Sequence, residues 1–130
     1  MKAKKIWANF SVKDAARTSQ FYTQLGFKAN NTNNYPKLAS FAFGEDGFVI
    51  HFFEQGSQIN DFLTVGATNE IIFTLSAESE QEVKEWEDNV KAAGGSIFQP
   101  AGRDKGGYYG CGFADPDGHK FNILLMEDGM

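Results

Sequence analysis

The chain has 130 residues and 42% hydrophobic content, with thirteen Phe, which is one domain's worth of packed core. Its formal net charge of -5 and its short basic start, Lys2-Ala3-Lys4-Lys5, exclude nucleic acid as a partner, because nothing here tracks a phosphate backbone. No stretch approaches the ~20 apolar residues of a membrane span, and the run after Lys5 is too short and polar for a signal peptide, so no membrane partner and a cytoplasmic location are expected.

In chain order, residues 6–12 read as a strand, and Asp14 can cap a helix over residues 15–25 that Gly26 stops. Phe21, Tyr22 and Leu25 give that helix its apolar face. A short β element is expected near Lys28, then a polar loop over residues 30–34. Residues 38–43 and 48–53 form a hairpin about Gly44-Glu45-Asp46-Gly47. Residues 70–75 are the next strand, and Ser79-Glu80-Gln81-Glu82 is a capping box that opens a second helix. Val83, Trp86, Val90 and Ala93 recur at helical spacing until Gly94-Gly95 ends it. Residues 96–99 make a short strand, and residues 108–114 and 121–126 pair about Asp115-Pro116-Asp117-Gly118.

The order β-α-β-β-β is thus written twice. Module one is residues 1–56, residues 57–68 are a linker rich in Gly, Ser, Asn and Thr, and module two is residues 69–130. The expected class is α+β: two tandem βαβββ modules, each a mostly antiparallel sheet with one helix behind it, curving around a cleft. A single cysteine, Cys111, permits neither an internal disulfide nor a thiolate metal cage.

Three motifs carry a family resemblance. Val12-Lys13-Asp14 followed after six residues by Phe21-Tyr22, then Leu25-Gly26-Phe27, resembles the opening of vicinal oxygen chelate proteins, the glyoxalase, bleomycin-resistance and extradiol dioxygenase-like superfamily. Ala92-Ala93-Gly94-Gly95 resembles their usual helix end, and Phe113-Ala114-Asp115-Pro116-Asp117-Gly118-His119 their closing hairpin. Each is an ordinary turn or helix end alone; their order and spacing across the chain make the resemblance specific. It implies paired βαβββ modules and, in metal-dependent members such as glyoxalase I, a divalent ion in the cleft that binds two vicinal substrate oxygens. The ligands there are His and Glu on the first and last strands of each module.

On the resemblance, the four ligand positions fall at Trp7, His51, Ile72 and Asn122. Two of them cannot bind a metal. A catalytic Zn, Ni or Fe site takes about three His, Cys or carboxylate ligands, so no metal and no cofactor are expected, with a weak divalent ion at His51 left open. A facial triad would need two His and a carboxylate, and His119, the other of two His in the chain, is expected outside in its turn.

His51 is the candidate catalytic or ligand-donating residue, set against the plainer reading of a hydrogen-bonded core histidine, with Asn122, Asn9 and Ser11 as its expected partners. Ser40 or Ala42 should lie opposite it. Trp7 is either a platform for a flat ligand or a plug. Asn9, Phe53, Ile72, Thr74, Asn122 and Leu124 complete the expected ligand-binding face. Cys111 lies opposite Asn122 if residues 115–118 are a four-residue loop, whereas a bulge turns Gly110 or Gly112 inward. The loop from Gly102 to Gly107 carries Arg103 and leads to Tyr109; it either closes over an anionic ligand or is a solvated connection. The leading expectation is a metal-free binder of a small aromatic or amphipathic molecule of unknown identity, its many aromatics and net acidity suiting a cationic aromatic guest, working as a homodimer by resemblance. The alternatives are a lactoylglutathione lyase-like isomerase or lyase using His51, and a scaffold whose cleft is plugged by Trp7, Phe53, Ile72 and Leu124.

Overall fold

The structure is a computed structural model and describes residues 1–30, 37–56 and 71–127. The expected linker 57–68, residues 31–34 of the polar loop and Glu70 lie outside the described residues. The chain divides into two compact units, Met1–Ala67 and Thr68–Met130.

Unit one runs β1 (Ala8–Val12), α1 (Ala15–Gln24), β2 (Lys28–Ala29), β3 (Leu38–Phe43) and β4 (Phe48–Glu54). Unit two repeats the order as β5 (Ile72–Ala77), α2 (Glu80–Ala93), β6 (Ser96–Arg103), β7 (Tyr109–Ala114) and β8 (Lys120–Leu125). The sheets have equivalent orders, β1-β4-β3-β2 and β5-β8-β7-β6. In each, the first strand runs parallel to the last and the other pairings are antiparallel. This is the expected α+β pair of βαβββ modules.

Local chemistry sets the helix ends. Asp14 accepts from the backbone N–H groups of Ala16 and Arg17, and Glu54 from β4 accepts from that of Ala15 at 3.0 Å. Three of the four N–H groups left open at the start of α1 are thereby satisfied. Ser79 Oγ accepts from Glu82 N, while the Glu82 carboxylate reaches back to Glu78 N at 2.7 Å. Gly94 closes α2 at φ 98°, a left-handed conformation that disfavours a side chain.

Period-2 alternation then divides each sheet into two faces. In unit one Val12, Phe41, Ile50 and Phe52 are buried towards α1 with Phe21 and Tyr22. Tyr22 stacks on Phe52 with ring centroids 4.8 Å apart. In unit two Cys111, Phe113, Phe121 and Ile123 are buried with Val83 and Val90 of α2. Trp86 stacks on Phe113, and Phe113 on Phe121. Side chains of the opposite parity form each unit's open face.

Two sequence expectations change. The strand expected over residues 96–99 continues to Arg103, with register shifts against β7 at Ile97/Gln99 and Gln99/Gly102. Glu87 of α2 bridges this irregular stretch by accepting from Ala101 N at 2.6 Å. The second hairpin also closes differently. Ala114 pairs with Lys120, and Asp115 N donates to His119 O. Three residues, Pro116 to Gly118, therefore span the turn, with Gly118 at φ 93°.

Candidate functional site

The open face of unit one is built by register. Asn9 on β1 pairs with His51 on β4, and His51 pairs with Ser40 on β3. Asn30, just beyond β2, donates from Nδ2 to Ser40 Oγ at 3.1 Å and from its backbone N–H to Ser40 O at 2.8 Å. A row of four uncharged polar residues, Asn9, His51, Ser40 and Asn30, therefore crosses the sheet strand by strand. Of the two residues expected opposite His51, Ser40 is the one found there.

Aromatic residues bound the row on both sides. Trp7 meets the His51 ring edge to face, with centroids 6.5 Å apart and planes at 73°. Phe53 meets it from the other side at 5.8 Å and 68°. His51, Trp7 and Asn30 line an open pocket of 660 Å³ together with Ile6, Phe48 and Val49, and Lys5 and Asp46 stand on its wall. Trp7 is 51% exposed, so its indole is a wall of this pocket, not a plug filling it.

His51 is half-buried, and its Nδ1 is buried without a hydrogen-bond partner. Asn9 and Ser11, expected as its partners, form no hydrogen bond with Nδ1. A buried polar atom left unsatisfied typically costs about 1–3 kcal/mol. Burial also pushes the imidazole pKa down from its ordinary 6.5, since a charged ring is poorly solvated there. The ring is consequently neutral at pH 7, offering one donor and one acceptor nitrogen.

On unit two, Thr74, Asn122 and Gly112 pair across the open face, flanked by Ile72, Leu124 and Ser76 in the same parity. Ile72 is 49% exposed. The Phe98 ring covers Gly112, where a Cβ would meet ring carbons at 2.5 Å, and Lys120 Nζ lies 5.4 Å from that ring's centroid.

Three expected site residues stand elsewhere. Because three residues span the hairpin turn, Gly112 faces Asn122, and Cys111 pairs with Ile123 on the helix-covered side. Its thiol points at Val83 O, and burial pushes its pKa up to about 11. Tyr109 shares that parity and is buried. Arg103 pairs with Tyr109 on the same side, lies 5.8 Å from its ring centroid, and is tied to Glu127 at 2.8 Å and to Gly107 O at 2.7 Å. These ties commit its guanidinium locally, which favours the solvated connection over the anion-closing loop among the two readings the sequence left open. His119 is buried, not outside: Asp115 Oδ2 holds its Nδ1 at 2.8 Å, and Asp115 Oδ1 accepts from His119 N and Asp117 N. Asp115 thus organises the turn and pins the imidazole to it.

The residues do not fit a bound catalytic metal ion. Indole offers no in-plane lone pair and Ile72 is a hydrocarbon, which leaves one imidazole and one carboxamide at the four family positions. No group of three His, Cys, Asp or Glu side chains gathers among the described residues.

Asn30, Lys5, Asp46, Phe48 and Val49 line the pocket without having been singled out from sequence. Val49 shares parity with His51 and was findable by alternation. Asn30 was not, because its place depends on a two-residue strand.

Comparison with known proteins agrees with this architecture. The family model described as Glyoxalase/Bleomycin resistance protein/Dioxygenase superfamily matches residues 6–123. The hypothetical protein SA1046 from S. aureus is 30% identical with a TM-score of 0.85, over 97% of this chain and 96% of that one. A glyoxalase-related enzyme from Fulvimarina pelagi has 21% identity and a TM-score of 0.80, over 95% and 89% of the two chains. A lactoylglutathione lyase from Agrobacterium tumefaciens has 18% identity and a TM-score of 0.61, over 96% of each chain. At these lower identities the likeness is one of fold. No curated protein matches the chain in sequence.

Proposed function

The chain belongs to the glyoxalase, bleomycin resistance protein and dioxygenase superfamily, and from that premise we propose that it binds a small aromatic molecule on the open face of unit one without a metal ion. One observation carries this reading. His51 lines a pocket of 660 Å³ beside an exposed indole, and among the described residues no group of three His, Cys, Asp or Glu side chains gathers there. The volume falls within the ~300–1,000 Å³ of small-molecule sites, and an apolar wall with a few convergent polar groups is their usual composition.

Trp7 supplies the contact area and His51 the orienting hydrogen bond. A neutral imidazole is also chemically able to act as a general base. Without a Lewis acid to hold an enediolate, however, the donor set supports sequestration over isomerisation. The single buried Cys111 supports work in a reducing, cytoplasmic compartment, and the pairing habit of single-domain members of the family supports a homodimer.

A thermal-shift screen tests the reading. Small aromatics should raise the melting temperature in a saturable way, because they bind only the folded chain, while Zn, Ni, Mn and Fe salts should leave it unchanged. Stabilisation by a metal and by no aromatic compound would reject it.

A further inference from the structure

Asn30 and Phe98 hold equivalent places in the two units. Lys28 and Ala29 pair with Ala42 and Phe41, and Ser96 and Ile97 pair with Ala114 and Phe113. The next residue of each strand therefore arrives beside Ser40 in unit one and beside Gly112 in unit two. Those two are mates as well, since Ser40 pairs with His51 and Gly112 with Asn122. In unit one the meeting is polar, a hydrogen bond of 3.1 Å from Asn30 to Ser40, and the face beside it stays open as the pocket. In unit two it is a benzene ring laid on bare backbone. A Cβ on Gly112 would meet Phe98 Cε1 and Cζ at 2.5 Å.

Three features show that the chain is built to seat a ring there. Ile97 pairs with Phe113 and Gln99 with Gly112, which leaves Phe98 as the extra residue of a bulge, the device that re-aims a side chain out of a ladder. A glycine inside a strand weakens the strand and marks a place where another group approaches the backbone closely. Finally, Lys120 Nζ stands 5.4 Å from the ring centroid, within range of a cation–π attraction. Phe98 nevertheless remains 47% exposed, so its ring is seated on the sheet without being enclosed by it. Nothing in such a seat requires the ring to be covalently attached.

We propose that the open face of unit two is a second binding site, for one electron-rich aromatic ring, and that Phe98 is its built-in occupant, displaced when a ligand ring takes the seat over Gly112. Lys120 sets the preference: its ammonium attracts an electron-rich ring face, is indifferent to an electron-poor one and repels a cationic guest. Phe98 sets the threshold, because a free ring binds only during the fraction of time that the seat is vacant. This site lies wholly in unit two and is independent of the pocket beside Trp7.

The test follows backbone amide signals of the isotope-labelled full chain by NMR during titration with p-cresol, and then with 4-cyanophenol, an electron-poor ring of similar size, at a pH where both are neutral. In Phe98→Ala, p-cresol should shift the Gly112 and Asn122 amides saturably and bind roughly tenfold tighter than in the unaltered chain. Phe98→Leu should fall between the two, and the amide spectrum itself reports that each variant is folded. The electron-poor ring should bind roughly threefold more weakly than p-cresol, and Lys120→Met in the Phe98→Ala background should erase that difference. Amides of Gly112 and Asn122 that stay unmoved in folded Phe98→Ala overturn the site. Equal affinity in the unaltered chain and in Phe98→Ala overturns the role of Phe98, and equal or tighter binding of 4-cyanophenol overturns the electron-rich assignment. The Trp7 indole N–H signal reports on unit one separately, so failure of the pocket there and failure of this site are told apart.

Discussion

Trp7 and His51 stand edge to face, their ring centroids 6.5 Å apart, so the state of the imidazole is written into the surroundings of the indole. An imidazolium quenches a neighbouring indole more than neutral imidazole does. In a Trp86→Phe background, which leaves Trp7 as the only tryptophan, emission should fall on acidification with a midpoint below 6.5, since burial lowers the His51 pKa. His51→Gln should abolish the transition. A midpoint at or above 6.5 would contradict the burial.

The same shift affects stability. With a lowered folded pKa, the folded chain binds fewer protons than the unfolded chain at mildly acidic pH, so stability rises with pH there. The His51 contribution is complete above 6.5 and is lost as pH falls through the lower, folded value. Denaturant titrations of the native chain and of His51→Gln should therefore diverge below pH 6.5 and run parallel above it.

Cys111 provides a contrast between sulfur on the helix side and a ligand face that is open. Its thiol, pushed up to about 11 and buried against Val83, should react with a disulfide reagent only as fast as the chain unfolds. Rapid labelling of native protein at pH 8 would place the thiol on the open face instead.

Two glycines of β7 should differ sharply. A Cβ on Gly110 collides with the backbone carbonyl of Ile123, which cannot move without breaking the β7–β8 ladder. A Cβ on Gly112 meets the Phe98 ring, a side chain 47% exposed that can swing away, and stands 3.2 Å from Gln99 Cβ, where a small shift suffices. Gly110→Ala should cost about 3 kcal/mol and Gly112→Ala about 1 kcal/mol in chemical denaturation.

The contrast between the two hairpins explains which parts of the site the sequence could reveal. In the first, Phe43 pairs with Phe48 around a four-residue turn, and simple alternation places Ser40 opposite His51. In the second, Asp115 pairs with His119 through its backbone, and Gly118 takes the left-handed conformation that a three-residue turn needs. That single residue of register exchanges the faces, sending Tyr109 and Cys111 to the helix and Gly112 to the open side. The capped helices and the β-α-β-β-β order follow from local chemistry, visible at Asp14, Ser79 and Gly94. The position of Asn30 depends on long-range pairing of β2 with β3, and local sequence carries no signal for it.

The most direct test of metal-free binding is a titration of Trp7 emission with 1-naphthol in the Trp86→Phe background, with and without excess EDTA. The account predicts saturable quenching, identical in the two conditions and weakened in His51→Phe. Quenching that EDTA removes and added zinc restores would contradict it, as would no quenching at all.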